Sequence, residues 1–161
     1  EFVKYNTETR NRLHDVIQIN GFSEGIAVDM AMVYTDDYND DDSSLRSYVN
    51  NVRTKDGGTH EIGLRSAMTK AFNSYAEDSG LLAKSKIKSL DAKDIREGVN
   101  IVLSIKVPEN LLQFESQTKS KLGTPIARAV CENVILTDNC TGMLTYIHCG
   151  RGFKHGDIVL L

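Results

Sequence analysis

VNIVLSIKV, at residues 99–107, is the most apolar run of the sequence and the clearest signal of its fold. Six of its nine residues are Val, Ile or Leu, a composition typical of a buried strand. Pro108 follows and ends the strand, because proline has no N–H to give to a sheet. The run is far shorter than the roughly 18 apolar residues that a membrane span needs. We therefore predict the central strand of a sheet over residues 99–107.

Three shorter strands are predicted upstream of this run. Residues 13–19 (LHDVIQI) and 26–35 (IAVDMAMVYT) alternate in part between apolar and polar positions. The six residues between them predict a hairpin with a long loop. Residues 45–52 (LRSYVNNV) predict a third strand, which leads to a turn where Gly57 and Gly58 can take positive φ.

A long helix is predicted to begin after this turn, with Thr59 as its N-cap and Glu61 at the positive end of its dipole. Over residues 60–75 the apolar side chains recur at helical spacing, which indicates one buried stripe. The stripe comprises Leu64, Ala67, Met68, Ala71, Phe72 and Tyr75. We expect this helix to pack across the sheet.

Further segments complete the predicted order of elements. Residues 81–88 fit either a helical extension or an exposed linker, and residues 91–98 have the acidic cap and terminal glycine of a single helical turn. A polar loop spans residues 109–123, and a last helix begins at Pro125 with Thr124 as its N-cap.

The order β-β-β-α-β-loop-α predicts an α+β fold, which is also described as a two-layer α/β fold. We expect a mixed sheet of about four strands with helices on one face. Two prolines and 12 glycines in 161 residues leave little room for flexible linkers, so we expect one domain over residues 1–136. Residues 137–161 break the helical pattern. We expect them to form an atypical tail that is non-native or poorly packed.

Charge and cysteine content narrow the function classes. Lys and Arg number 19 against 22 Asp and Glu, for a net charge of −3, which argues against nucleic-acid binding driven by charge alone. The three cysteines include no Cys-x-x-Cys pair, and their odd number favours a reducing compartment. We therefore expect a cytoplasmic protein with no membrane association.

Three groups of residues resemble metal or catalytic sites and fail on spacing. Residues 36–44 (DDYNDDDSS) lack the Gly and Glu of a calcium loop. His60 and Glu61 have no HExxH spacing, so we expect a structural role for both. The third group has no compact ligand pair: Cys140, His148, Cys149 and His155. We expect no metal site in this chain.

The loop at residues 113–123 carries the most informative polar residues. Several hydrogen-bond donors crowd into it just before a predicted helix N-terminus, an arrangement that suits an anionic ligand such as a phosphate. The donors are Gln117, Thr118, Lys119, Ser120 and Lys121. Most lysine-rich loops are only solvated, so this pattern alone leaves both interpretations open.

Three motifs together carry a family resemblance. They are VNNVRTKDGGTHE at residues 49–61, DIREG at residues 94–98, and QFE followed by QTKSKLG within residues 113–123. The chain resembles, over about residues 2–135, the second domain of the B subunit of bacterial type IIA topoisomerases, which are DNA gyrase and topoisomerase IV. The form Ser-Lys-Leu-Gly-Thr at residues 120–124 looks closer to topoisomerase IV.

The resemblance implies a transducer domain of ribosomal-protein-S5 domain-2-like fold, between a GHKL-type ATPase domain and a TOPRIM region. Such a domain couples ATP binding and hydrolysis to DNA strand passage. The resemblance implies that Gln117 and Lys119 contact the γ-phosphate and that Lys119 is catalytic. ATP would be bound mainly by the preceding domain, and Mg²⁺ would belong to the full-length enzyme rather than to this chain.

The implied partners are DNA, the topoisomerase A subunit and a second B subunit, all in the holoenzyme. The chain alone is expected to be inactive. Ser116 departs from the family, which commonly has Gly there. The alternative is a free-standing S5-like nucleic-acid-binding domain without catalytic activity, which would use Lys84, Lys86, Lys88, Lys119 and Lys121.

Overall fold

The computed structural model describes residues 2–36 and 44–137. In chain order its elements are α1 (Phe2–Asn6), β1 (Ile17–Ser23), β2 (Ile26–Tyr34), β3 (Leu45–Val49), β4 (Val52–Arg53), α2 (Thr59–Asp78), α3 (Leu81–Ser85), α4 (Ala92–Arg96), β5 (Val99–Lys106) and α5 (Pro125–Thr137). The mixture of one sheet and packed helices agrees with the predicted α+β class.

The strands form a mixed five-stranded sheet in the order β1-β2-β5-β3-β4. β5 lies at its centre, antiparallel to β2 and parallel to β3, which confirms the prediction for residues 99–107. The fifth strand was not predicted, because residues 45–52 form a hairpin and not one strand. Asn50 and Asn51 both take positive φ, at 48° and 67°, and asparagine tolerates that conformation in tight hairpin turns.

The first hairpin turns later than predicted. β1 continues to Ser23, and the turn is made by Glu24 and Gly25, with φ of 51° and 80°. Asn20 and Gly21 resemble a turn signal but lie inside the strand. Gly21 is required there for packing, since a Cβ on it would come within 2.6 Å of Val134 Cγ1 in α5. The predicted loop at residues 20–25 is therefore wrong.

Helices α2 and α5 pack against each other and against one face of the sheet. Gly63 in α2 allows this close approach, because a Cβ there would lie 2.3 Å from the Arg128 carbonyl oxygen of α5. The predicted stripe of α2 faces the core as expected: Leu64, Ala67, Met68 and Ala71 are buried, and Phe72 and Tyr75 are partly buried against them. The Phe72 ring meets the Tyr34 ring edge-on at 6.3 Å.

Both long helices begin where expected, but the predicted N-cap of α2 is wrong: Gly58 takes that position, whereas Thr124 directly precedes Pro125, the first residue of α5, as predicted. Thr59 is the first residue of α2, and its hydroxyl donates to the Thr124 carbonyl (2.7 Å). The Thr124 hydroxyl accepts from the Gln113 N–H (3.0 Å) and donates to the Leu111 carbonyl (2.9 Å). Both hydroxyls therefore make tertiary contacts, and among the described residues neither bonds to a backbone N–H of its own helix.

Three short helices, α1, α3 and α4, complete the fold. α4 confirms the predicted helical turn, and the Asp91 carboxylate caps it by accepting from Lys93 N–H (2.8 Å). Residues 81–88 contain α3, which ends where Lys86 takes φ 57°. α1 contacts β2 and β5, and its Val3 is buried beside Asn100 and Val102. Asn100 and Val102 alternate with Ile101 along β5, so they point to the opposite face of the sheet from Ile101. The helices therefore do not all lie on one face, and that prediction is wrong.

Two predictions fall largely outside the described residues. The acidic loop at residues 36–44 is described only at Asp36 and Ser44, and the tail at residues 137–161 only at Thr137, which ends α5. The domain limits at residues 1–136 stay a prediction. Within the described part of the chain, no helix is long and apolar enough to cross a membrane.

Two neighbouring residues of α2 test its packing. Leu64 is fully buried, whereas Ile62 is 49% exposed. Leu64→Ala removes a large side chain from the core and should lower the free energy of unfolding by about 2–5 kcal/mol. Ile62→Ala should change it by less than about 1 kcal/mol. Urea denaturation of the two variants measures both values, and equal losses would show that the orientation of α2 is wrong.

Candidate functional site

The loop at residues 113–123 is closed at its base by backbone pairing. Phe114 and Leu122 form an isolated antiparallel bridge. The Gly123 N–H donates to the Gln113 carbonyl (2.8 Å), and the Glu115 N–H donates to the Lys121 carbonyl (3.0 Å). The predicted polar loop is therefore a narrow excursion whose tip is residues 116–120.

Hydroxyl groups hold the tip together. Ser116 Oγ lies 2.8 Å from Thr118 Oγ1, which lies 3.1 Å from Ser120 Oγ. The Lys119 N–H donates to the Ser116 carbonyl (3.1 Å), and Lys119 takes φ 54°. Gln117 and Lys119 are exposed. The tip thus presents an amide and an ammonium group to the surroundings of the loop.

The two lysines of the loop differ in what they contact. Lys121 Nζ pairs with Glu115 Oε2 at 2.9 Å, and this hydrogen bond and the carboxylate's charge raise the Lys121 pKa. Lys119 makes no side-chain hydrogen bond or ion pair with any residue in 2–36 or 44–137. The structure therefore leaves the Lys119 charge available to a ligand, while the Lys121 charge is balanced within the loop.

The base of the loop is joined to the turn before α2 by three backbone hydrogen bonds. The Asp56 N–H donates to the Ser120 carbonyl (2.9 Å). The Leu122 N–H donates to the Gly57 carbonyl (3.0 Å), and the Thr59 N–H donates to the Leu122 carbonyl (3.0 Å). Leu122 is fully buried. These bonds fix the loop to the N-terminus of α2.

Glycines at residues 57 and 58 make this contact possible. Gly57 has φ 70° and Gly58 φ 143°, conformations that favour glycine. A Cβ on Gly58 would lie 2.4 Å from the Leu122 carbonyl oxygen and 2.6 Å from its nitrogen. The sequence predicted the turn at these glycines, but not the close approach of Leu122.

A buried chain of hydrogen bonds lies under this turn. The Ser47 hydroxyl donates its one proton to Glu61 Oε1 (2.5 Å). Ser47 Oγ must therefore accept from the Thr54 hydroxyl (2.5 Å). His60 Nε2 lies 3.1 Å from Thr54 Oγ1 and must then be the donor to it. This chain of hydrogen bonds joins the β3–β4 hairpin to α2. This is a structural role for His60 and Glu61, as expected, but the sequence did not indicate Ser47 or Thr54.

His60 is held neutral by its surroundings. The ring is fully buried, and its Nδ1 has no hydrogen-bond partner among the described residues. Protonation of Nδ1 would place an uncompensated charge in the core. Burial accordingly lowers the pKa of His60 to about 4.

The described residues contain no group of three or more His, Cys, Asp and Glu side chains that could hold a metal ion. Cys131 is buried, and its burial raises the pKa of the thiol to about 12, so it stays protonated. The candidate tail ligands Cys140, His148, Cys149 and His155 lie outside the described residues.

A family model described as DNA gyrase B matches residues 1–144. The chain belongs to the DNA gyrase B family. It is 56% identical over 135 residues to the B subunit of DNA topoisomerase 4 from Enterococcus faecalis, and 53% identical to that of Staphylococcus aureus strain MW2. Each match covers 84% of this chain. The chain spans about a fifth of the length of these relatives, 19% and 20% respectively.

Solved structures of the same family share the fold. The 43K ATPase domain of Thermus thermophilus gyrase B, in complex with an aminocoumarin, matches with a TM-score of 0.79 and 28% identity, over 94% of this chain and 39% of that one. The B-subunit of DNA gyrase from Myxococcus xanthus matches with a TM-score of 0.73 and 21% identity, over 91% of this chain and 44% of that one. The second likeness supports the fold alone. Each match covers less than half of the longer solved chain.

The buried histidine predicts a pH dependence of stability. Its pKa is about 4 in the folded chain against 6.5 for an unperturbed histidine, so the unfolded chain binds a proton first as pH falls. Stability should decline from about pH 6.5 to about pH 4, by up to about 3 kcal/mol for this group. His60→Gln should remove this part of the decline. Urea denaturation of both proteins between about pH 4 and about pH 7.5 measures it, and parallel pH profiles would contradict the assignment.

Proposed function

We propose that this chain is the transducer domain of a type IIA topoisomerase B subunit, with a ribosomal-protein-S5 domain-2-like fold. It couples ATP binding and hydrolysis in a preceding GHKL-type ATPase domain to DNA strand passage. The observation that carries the proposal is the loop at residues 113–123, which has a fixed base and exposes Gln117 and Lys119 at its tip. Family membership and the motifs at residues 49–61 and 94–98 support it.

The loop can distinguish ATP from ADP by charge. Lys119 and the Gln117 amide would contact the γ-phosphate, and they lose this interaction when the phosphate leaves. A ligand shifts a conformational equilibrium only by its difference in affinity for the two states. Because the available charge lies on Lys119, that difference arises at one side chain on a fixed loop. The loss of the γ-phosphate then changes the preferred orientation of this domain.

Topoisomerase IV is favoured over gyrase as the parent enzyme. The relatives at 56% and 53% identity are B subunits of DNA topoisomerase 4. In the holoenzyme this chain would act with a second B subunit, the A subunit and DNA, in the cytoplasm. ATP would be bound mainly by the preceding domain, with Mg²⁺ there.

The alternative of a free-standing nucleic-acid-binding domain is weaker. Lys121, one of the five lysines that it would use, is paired with Glu115. The net charge is −3, so no general excess of positive charge supports phosphate-backbone binding.

Substitutions at Lys119 test the proposal in the full-length B subunit with its A subunit and saturating DNA. Lys119→Ala removes the charge that stabilises phosphoryl transfer, so steady-state ATP turnover should fall about a hundredfold to a thousandfold. Lys119→Gln should fail as well, because it keeps hydrogen bonding without the charge. Lys119→Arg should retain part of the activity.

Lys121→Ala is the matched control, since Lys121 is the other lysine of the loop and pairs with Glu115. Its ATP turnover should stay within a few-fold of the wild-type rate. Wild-type turnover in Lys119→Ala together with a large loss in Lys121→Ala would show that the wrong lysine has been assigned.

A further inference from the structure

The segment at residues 56–59 makes most of the contacts that fix the loop to the rest of the chain. Backbone bonds from Asp56, Gly57 and Thr59 reach Ser120 and Leu122 on the returning side of the loop. The tip itself is exposed, and its other bonds stay within the loop. The position of Lys119 therefore depends on where this segment holds Ser120 and Leu122.

The same segment is continuous with α2. Thr59 is the first residue of this 20-residue helix, and it bonds once to the loop and once to Thr124, the residue that follows the loop. Its N–H donates to the Leu122 carbonyl (3.0 Å), and its hydroxyl donates to the Thr124 carbonyl (2.7 Å). A displacement of the loop thus acts directly on the first turn of α2.

Gly58 sets how closely the two segments approach. The Leu122 backbone fills the space that a side chain at residue 58 would need, at 2.4 Å from its carbonyl oxygen. Backbone atoms cannot rotate away as a flexible side chain can. A side chain at residue 58 must therefore push residues 120–122 outward, and Lys119 with them.

We propose that residues 56–59 are a positioning segment, which holds Lys119 where it distinguishes a bound triphosphate from a diphosphate and joins it to α2. This inference rests on the proposed function. The segment does not touch the nucleotide itself. It acts by placing the loop that does, so its loss should reduce discrimination between nucleotides more than stability.

The test uses isothermal titration calorimetry to measure the nucleotide preference of the full-length B subunit. The preference is the ratio of the Kd for ADP to the Kd for a β,γ-imido ATP analogue. Thr59→Val removes only the hydroxyl bond to Thr124 and should lower the preference about threefold to tenfold. Gly58→Ala should lower it to the value of Lys119→Ala.

Two controls match these substitutions. Thr69→Val removes a threonine hydroxyl that bonds only to Arg65 within α2 (2.9 Å). Gly80→Ala changes a glycine at φ 70° with nothing within 4 Å of the added Cβ. Both controls should keep the wild-type preference. Melting temperatures recorded in parallel separate a loss of stability from a loss of positioning, and Thr59→Val decides the test if Gly58→Ala does not fold.

The outcomes distinguish the inference from the proposed function. Loss of preference in Thr59→Val, with wild-type preference in Thr69→Val, supports the positioning segment. Wild-type preference in Thr59→Val, or an equal loss in Thr69→Val, overturns it, provided that Lys119→Ala has lost its preference. A wild-type preference in Lys119→Ala contradicts the proposed function itself.

Discussion

Strand β3 pairs with β5 in parallel, with Val49 opposite Ile105, and parallel strands have their carboxyl ends at the same edge of a sheet. The Asn50 side chain shows how close these ends lie: it donates to the Val107 carbonyl and accepts from the Val107 N–H, both at 2.9 Å. The chain leaving β3 and the chain leaving β5 therefore begin side by side. The chain then returns along β3 as β4, and the turn at residues 56–59 that follows bonds to the loop at residues 113–123, although more than 50 residues separate them in sequence.

The parallel pairing also requires a crossover, and α2 supplies most of it. α5 then packs on α2 at a distance that Gly63 and Arg128 set, so both helices bordering the functional loop belong to one packed layer. The loop is consequently fixed on both sides, by the start of α2 and by the start of α5. The base is therefore held by more contacts outside the loop than the exposed tip is.

Elements whose identity depends on local pattern were predictable from sequence. Residues 99–107, the stripe of α2 and the helical turn capped by Asp91 lie where periodicity and capping rules placed them. Errors arose where a residue serves a distant partner. Gly21 resembles a turn glycine but makes room for Val134. Thr59 resembles an N-cap, but Gly58 takes that position and the Thr59 hydroxyl donates to the distant Thr124 carbonyl. A single sequence contains no signal for these tertiary choices.

In the candidate site, too, local features were predictable from sequence, whereas those that depend on tertiary contacts were not. The donor pattern alone placed Lys119 and Lys121 in one loop without ranking them, and only the family resemblance singled out Lys119. The physical difference between the two lysines comes from Glu115, which pairs with Lys121. The hydrogen-bond chain of Ser47, Thr54, His60 and Glu61 was equally invisible, since its members come from a strand, a loop and a helix.

Charged groups surround the loop unevenly. Beneath it, His60 is neutral and Glu61 is paired with Arg65 at 3.5 Å, whereas the Asp56 carboxylate helps to raise the Lys121 pKa. At the base, Lys121 and Glu115 cancel each other. The Lys119 ammonium has no ion-pair partner among residues 2–36 and 44–137, on a chain whose net charge is −3 and which attracts anions weakly at long range. Under the proposed function, such a loop would gain little from anions in general and much from a phosphate group that another domain brings to it, so its response would report that group and not the ionic surroundings.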